Sequence, residues 1–242
     1  MEQIGPSLPT PGVEGKRKRG FLEMVKRWWE NRGFRAFCLG FLIALCFFLP
    51  YLIFDKGYFL FYGDFNVQQI PFYQTVHDAV RNGDLWSWNT DLGANLIGSY
   101  TFYNLTSPFF WLTLPFPSET VPYLMGPLLI LKFSCAPLTA YIYLKRYVKS
   151  GDIAVIGGLL YAFSGFSVYN IFFNHFHEAI IIFPLMLAAL DSYMYERKRG
   201  IFALAVFASC FMNYYFFAGQ VVFCLIYWFL RMGSGSWKIS VK

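Results

Sequence analysis

Two long stretches without a single charge constrain the fold of this chain more than any other feature. Residues 36–54 and residues 201–230 contain no Asp, Glu, Lys or Arg. A helix of about 20 apolar residues crosses the hydrocarbon core of a bilayer, which is about 30 Å thick. The whole chain has 57% hydrophobic and 14% charged residues, whereas soluble domains have about 25% charged residues. These features predict an integral membrane protein and exclude an ordinary soluble enzyme, a disordered chain and a disulfide-stapled secreted module.

The first uncharged stretch predicts a retained membrane helix and not a cleaved signal peptide. It is longer than the apolar core of a signal, and Asp55 and Lys56 follow it without a small-residue cleavage site. The basic residues before it are Lys16, Arg17, Lys18, Arg19, Lys26, Arg27, Arg32 and Arg35. Basic residues beside a first membrane helix hold that end in the cytoplasm. We therefore interpret residues 1–35 as a basic cytoplasmic segment and not as a nucleic-acid-binding one.

Four more apolar regions follow, and together they predict an all-α fold, a polytopic bundle of about six transmembrane helices within residues 36–232. The expected helices cover residues 36–54, 121–144, 153–170, 179–195, 201–213 and 215–231, with a polar tail at 233–242. The last two helices share one uncharged stretch, which Asn213 and Gly219 are expected to break. Lys132 and Asp191 lie inside these regions, and each is expected to be paired or to reach the interface.

The charges between the helices predict the orientation of the bundle. Of the 20 Lys and Arg residues, 17 precede the first helix, follow the last one or lie in segments 145–149 and 197–199. The acidic residues expected on the other side are Asp55, Asp64, Asp78, Asp84, Asp91, Glu119 and Glu178. The positive-inside rule therefore predicts a cytoplasmic N-terminus, with residues 55–120 and 170–178 outside.

The long outer loop at residues 55–120 is where chemistry is expected, because loops of this length in compact proteins are usually functional. Residues 70–82 have the apolar spacing of a helix, with Pro71 in its first turn and Gly83 after its end. This helix is too polar to span and is expected to lie on the outer membrane surface. The aromatic stretch at residues 100–111 is expected at headgroup level, in contact with membrane lipid.

Two groups of polar residues on the outer side are candidates for function. Asp64 could act as a catalytic base or as an N-cap, a role that Asn66 could also fill. His175, His177 and Glu178 lie beside an apolar stretch, where ionisable groups are costly and usually have a purpose. They could bind a metal, supply a base or contact a phosphate, or they could form a polar cap at the interface.

The sequence lacks the common motifs of disulfide-bonded, zinc-binding, nucleotide-binding and hydrolytic proteins. The cysteines lie in apolar stretches without CxxC or His-paired spacing, which predicts neither a disulfide framework nor a zinc site. They are Cys38, Cys46, Cys135, Cys210 and Cys224. There is no Walker A motif, no GxGxxG, no HExxH and no GxSxG.

The order of several short motifs resembles the YfhO family of bacterial membrane proteins. A basic N-terminus and one helix are followed by Gly63-Asp64, by Gln68-Gln69-Ile70-Pro71-Phe72, and by Asn82-Gly83 with Leu85-Trp86-Ser87-Trp88. Gly93-Ala94-Asn95, Ser107-Pro108-Phe109-Phe110 and Leu159-Leu160-Tyr161-Ala162-Phe163-Ser164-Gly165 come next. The resemblance runs through most of residues 36–230.

This resemblance implies a GT-C-like glycosyltransferase in the bacterial plasma membrane. Such enzymes take a sugar from a polyprenyl-phosphate carrier at the outer face. Members of the family are thought to pass it to an envelope polymer such as lipoteichoic acid. An acidic residue in the first outer loop commonly acts as the base in GT-C enzymes, and the matching residue here is Asp64. Family members are much longer, so the chain is expected to be a fragment or a truncated gene product.

The other expected site residues belong to the same reaction. Arg81, His175 and His177 are the candidates to contact the phosphate leaving group, with Glu178 as a second acid or as a ligand of a divalent metal. Gln68 and Asn95 lie in the matching motifs and are expected to bind substrate. Two alternatives stay open. One is a transporter or lipid flippase, which should line its interior with polar residues, and the other is a non-catalytic assembly subunit.

Overall fold

The computed structural model describes Glu23, residues 26–90 and residues 92–237 of the chain. Most of the expected basic segment lies outside the described residues, including Lys16, Arg17, Lys18 and Arg19. Asp91 of the outer loop and residues 238–242 of the expected polar tail lie outside them as well.

Helices make up most of the described chain. From Arg32 onward the α-helices are α1 (Arg32–Phe54), α2 (Ile70–Asn82), α3 (Leu96–Tyr100), α4 (Pro108–Trp111), α5 (Val121–Leu144), α6 (Gly151–Ala162), α7 (Gly165–Tyr169), α8 (His177–Glu196), α9 (Arg199–Met212) and α10 (Tyr214–Gly233). The segments long and apolar enough to cross a membrane are Arg32–Phe54, Ser118–Leu144, Gly151–Phe172, Asn174–Glu196 and Tyr214–Gly233, and α9 is a shorter apolar helix. The predicted all-α polytopic bundle is therefore confirmed.

The first helix begins earlier than its apolar pattern indicates. α1 starts at Arg32 and not at residue 36, because the Asn31 side chain accepts hydrogen bonds from the N–H groups of Gly33 and Phe34. Such a cap satisfies backbone donors that have no partner inside the helix. A local polar contact therefore sets this end of the helix.

Two other stretches are divided by single residues. Asn213 separates α9 from α10, and its side chain accepts a hydrogen bond from the Phe216 N–H. The helix expected at 153–170 ends at Ala162, and Ser164 is extended before α7 begins. The uncharged stretch at 201–230 thus contains a break at Asn213, so that it runs out and back through the bundle.

α5 lies at the centre of the bundle. It packs against α1, α6 and α8, and α9 packs against α8. Large apolar rings and chains fill the core between them, among them Phe48, Phe59, Phe65, Tyr73, Met125, Leu129 and Phe133. By contrast, α10 exposes most of its apolar residues, which in a membrane would face lipid.

The two ends of the bundle carry different charges. At the end that we call the basic end, Arg32 and Arg35 contact Asp152, and Arg146 lies 3.2 Å from Glu196. The opposite end, which we call the loop end, holds residues 55–120, the turn at 170–176 and the break at 213. Each long helix runs from one end to the other.

Asp191 is paired at the basic end, which is one of the two outcomes expected for it. Its carboxylate is buried and accepts hydrogen bonds from the hydroxyls of Tyr147 and Tyr227, with Arg146 Nε at 3.6 Å. The Arg231 guanidinium lies over the rings of both tyrosines. This network joins the segment after α5 to α8 and α10, and it gives Asp191 a structural role.

Residues 55–120 fold as a layer of short elements and not as an open loop. A π-helix at Phe65–Gln69 leads directly into α2, a hairpin of β1 (Trp86–Ser87) and β2 (Ala94–Asn95) follows, and a second π-helix at Thr101–Leu105 precedes α4. The strands are antiparallel, with Trp86 opposite Asn95 and Ser87 opposite Ala94. Single π-helical turns are rare and are often found at functional sites.

The aromatic stretch at residues 100–111 is only partly a surface belt. Tyr100, Phe109 and Phe110 are buried, whereas Trp111 is exposed. Phe110 packs edge-on against Tyr73 of α2, with 5.4 Å between the ring centroids. The short helices turn these rings inward, so part of the aromatic excess of the chain builds the core of the loop end.

Candidate functional site

Asp64 lies at the start of the first π-helix, at the loop end. Its side chain does not cap that helix, and Gly63 before it has a φ of 63°. Asn66, the alternative cap, instead accepts a hydrogen bond from the Phe61 N–H at 2.9 Å. Among the described residues no hydrogen bond or ion pair engages the Asp64 carboxylate, which is partly exposed. It is therefore free to accept a proton from a bound molecule.

A chain of hydrogen bonds begins one helical turn after Asp64. Gln69 Nε2 donates to Gln68 Oε1 at 3.0 Å, and Gln69 Oε1 lies 3.1 Å from His175 Nδ1. An amide oxygen can only accept, so His175 must carry its proton on Nδ1 and donate it to Gln69. The amide of Gln68 is thereby oriented, and its NH₂ group remains available to a ligand on the same helix face as Asp64.

His175 is held on several sides. Its backbone carbonyl accepts a hydrogen bond from Asn213 Nδ2 at 3.0 Å. Its ring makes edge-on contacts with Phe102, Tyr103 and Phe176, with centroids 4.8, 4.9 and 4.6 Å away. A ring enclosed in this way keeps one orientation, so it fixes Gln69 and, through Gln69, the amide of Gln68.

A buried ion pair lies between α5 and α8. Lys132 Nζ is 2.8 Å from Glu178 Oε1, and it donates to the backbone and side-chain oxygens of Asn174, both at 2.9 Å. Ser107 Oγ donates to the same Glu178 oxygen. All three N–H groups of Lys132 therefore have acceptors, and the pair ties the layer at residues 55–120 to two membrane helices.

Further polar groups surround this pair. Glu178 Oε2 and His177 Nε2 are buried without a hydrogen-bond partner among the described residues. The His177 ring packs against Phe133, with 4.8 Å between centroids. The Tyr73 hydroxyl lies beside Ser107, where burial and the charge of Glu178 raise its pKa above the ordinary value for tyrosine. These polar groups are therefore buried and have almost no contact with solvent.

The expected metal ligands do not converge. No group of three or more His, Cys, Asp or Glu side chains is placed to hold a metal ion within the part of the chain that the structure describes. His175 faces Gln69, His177 faces Phe133, and Glu178 faces Lys132. All five cysteines are free thiols, as the sequence predicts.

Two other predicted substrate contacts have structural partners. Arg81 follows Gln69 by 12 residues of helix, about 18 Å at 1.5 Å per residue. Its Nη1 donates to the Phe116 carbonyl at 2.7 Å. Asn95 is the N-cap of α3, since its side-chain oxygen accepts from two N–H groups of that helix. Neither residue is part of the hydrogen-bond chain beside Asp64.

The structure therefore links Gln68, one turn from Asp64, to His175, and it adds residues that were not predicted to belong to the site. Gln69 links them, and Ser107 and Asn213 anchor the surrounding loops. Lys132 offered a signal, because a charge inside a membrane helix requires a partner, and Glu178 is among the acidic residues expected on the outer side.

One family is similar in sequence over most of the chain. A model of the family described as bacterial membrane protein YfhO matches residues 36–242. No curated protein and no solved structure gives a significant match. The matched region contains every helix from α5 to α10 and both partners of the Gln69–His175 contact. The chain therefore belongs to the YfhO family of bacterial membrane proteins.

Proposed function

We propose that this protein is a glycosyltransferase that takes a sugar from a polyprenyl-phosphate carrier and passes it to a polymer of the bacterial envelope, such as lipoteichoic acid. The observation that carries the proposal is the unpaired, partly exposed Asp64 carboxylate one turn from the oriented amide of Gln68. The concentration of Arg and Lys at the basic end supports a cytoplasmic N-terminus and an outward-facing loop end.

In the proposed reaction, Asp64 accepts the proton of an acceptor hydroxyl while that oxygen bonds to the anomeric carbon of the donor sugar. The bond from this carbon to the phosphate oxygen breaks, and its electron pair leaves with the carrier phosphate. Gln68 donates its free amide N–H to an oxygen of the sugar or the phosphate. A single displacement of this kind inverts the configuration of the anomeric carbon.

The carrier tail has a groove of suitable character close to this site. Phe176, beside His175, contacts Phe216 with 4.7 Å between the ring centroids. Phe216 lines an apolar groove of about 380 Å³, together with Phe166, Phe183 and Phe223 among others. An isoprenoid chain lying there would place its phosphate near the Gln68–Gln69–His175 chain.

The proposal gives the other predicted residues supporting roles. Glu178 is neutralised by Lys132 and is 1% exposed, so it positions the loop end through Ser107 and does not act as a second acid. His175 orients the amide of Gln68 through its contact with Gln69. Arg81 binds the Phe116 carbonyl and Asn95 caps α3, so both have structural roles in the proposal and do not meet the reacting sugar.

The test is Asp64→Asn, which removes the base and keeps the shape of the side chain. The full chain is expressed in cells that lack their own family member, and incorporation of labelled sugar into the envelope polymer is measured. Loss of a general base is expected to lower incorporation about 10²- to 10⁴-fold. Wild-type incorporation at a wild-type protein level would exclude Asp64 as the base.

Asp55→Asn is the matched control. It makes the same change of charge in the same loop, and Asp55 accepts a hydrogen bond from the Leu60 N–H, which an Asn oxygen can also accept. Its incorporation should therefore equal that of the wild-type protein.

A further inference from the structure

A second concave site lies between α2 and the hairpin. It is a cleft of about 480 Å³ that combines hydrogen-bonding side chains with indole rings, which we call the hairpin cleft. Its lining includes Thr75, Asp78, Asn82, Asp84, Trp86 and Trp88. Sites for small polar ligands are concave and use a few converging polar groups in this way.

Two tryptophans form one wall of the hairpin cleft. Trp86 and Trp88 are two residues apart, and their ring centroids are 5.5 Å apart at an interplanar angle of 69°. Gly93 lies against both rings with a φ of 107°, and a Cβ there would come within 3.3 Å of the Trp88 ring. The hairpin turn thus supports the two indoles, while Trp88 keeps 78% of its surface exposed.

The polar face of α2 forms the facing wall. Thr75, Asp78 and Asn82 are three and four residues apart and therefore share one side of the helix, and Asp84 follows its end. His77 Nδ1 lies 3.8 Å from the Asp78 carboxylate. No hydrogen bond to either carboxylate occurs among the described residues, so both can accept hydrogen bonds from a ligand.

We infer that the hairpin cleft binds carbohydrate, namely an uncharged or amino-bearing sugar unit of the acceptor, and its place in the reaction rests on the proposed function. Carboxylates and amides form strong hydrogen bonds with hydroxyl and ammonium groups. The electron-rich face of an indole suits the polarised C–H groups on the flat side of a sugar ring. Among the described residues that line the cleft there is no Lys or Arg, so phosphate groups are disfavoured beside its two carboxylates.

The position of the cleft suits a distant unit of a polymer. Asp78 follows Asp64 by 14 residues, mostly along α2, which is about 20 Å at 1.5 Å per residue. The reacting sugar cannot occupy both places at once. A sugar held in the hairpin cleft would instead fix the acceptor chain on α2, while another unit of the same chain reaches Asp64.

The test measures sugar binding without the donor, using the full chain in lipid nanodiscs. The probes are a neutral glucose oligosaccharide, a glucosamine oligosaccharide and a poly(glycerol phosphate) chain. The wild-type protein should bind the first two through the hairpin cleft, whereas any binding of the third beside Asp64 should not depend on the cleft. Trp88→Ala and Asp84→Asn should each weaken binding about tenfold, the effect of one good hydrogen bond or ring contact. Asp64→Asn should bind sugar like the wild-type protein and yet fail in transfer.

Trp111→Ala is the control for membrane anchoring, since Trp111 is an exposed tryptophan of the same layer outside the cleft. Unchanged oligosaccharide binding by Trp88→Ala would overturn the inference, and so would binding of poly(glycerol phosphate) that Trp88→Ala weakens. If Trp88→Ala and Trp111→Ala both weaken membrane insertion and neither weakens sugar binding, the indoles are membrane anchors and the inference fails. Sugar binding that depends on the cleft, with no transfer by any variant, would keep the inference and refute the proposed function.

Discussion

Replacing Lys132 with Met tests how the loop end is held on the bundle. Met has a similar length and no charge, so Glu178 keeps its hydrogen bond from Ser107 and loses the ammonium group at 2.8 Å. Removing one partner of a buried ion pair costs about 3–5 kcal/mol, because the other charge stays buried without compensation. In a chain of this size each kcal/mol lowers the melting temperature by about 2–4 °C, so we expect a decrease of about 6–20 °C.

A second substitution separates the effect of charge from that of packing. The double variant Lys132→Met with Glu178→Gln buries no charge at this place, and neutral replacements of a buried pair are often tolerated. It should therefore melt at a higher temperature than Lys132→Met alone, which is the signature of direct coupling between the two residues. Glu196→Gln is the control for an exposed ion pair, and it should cost less than about 1 kcal/mol.

The assay can use the cysteines that the protein already contains. Cys38, Cys135 and Cys224 are free and partly buried, so a thiol-reactive fluorophore labels them as the helices open on heating. A melting temperature for Lys132→Met within about 2 °C of wild type would refute the idea that the pair holds the loop end in place. A double variant that melts below the single variant would refute the coupling.

Two further predictions concern the same region. Asn213→Ala removes the N-cap of α10 and the hydrogen bond to the His175 carbonyl, so it should cost about 1–2 kcal/mol in the same melting assay, and an unchanged melting temperature would contradict this role. Burial and the charge of Glu178 raise the pKa of Tyr73 above its usual value of about 10, so Tyr73 ionises more easily in the unfolded chain. Its contribution to stability is complete below about pH 10 and declines above it. Tyr73→Phe should therefore reduce the loss of thermal stability between pH 9 and 11. An equal loss in the variant and the wild-type protein would contradict a raised pKa of the Tyr73 hydroxyl.

The fold was largely predictable because the bilayer acts on long segments. An uncharged stretch such as 36–54 must be helical in lipid whatever its neighbours are, since its backbone groups have no other partners. Helix ends were less predictable, because they depend on single side chains. Asn31 starts α1 four residues before the apolar run, and an extended Ser164 interrupts the segment before α7.

The site was predictable only where local sequence carries the signal. Asp64 stands out because it lies between two recognisable helices. The contact of Gln69 with His175 joins residues 106 positions apart, and no local pattern records such a pairing. The run His175 to Glu178 suggested a metal site, but helical geometry points neighbouring side chains in different directions, so its members meet three separate partners. The hairpin cleft was not predictable from local sequence either, because it forms only where the hairpin folds back onto α2.

The role of Asp64 is tested most directly by transfer with the purified full chain in proteoliposomes, with a radiolabelled polyprenyl-phosphate sugar as donor and an envelope polymer as acceptor. We expect the wild-type protein and Asp55→Asn to move label from the lipid to the polymer at the same rate. Asp64→Asn should do so at least about 100-fold more slowly while keeping its melting temperature. Equal transfer by Asp64→Asn and the wild-type protein would show that Asp64 is not the catalytic base.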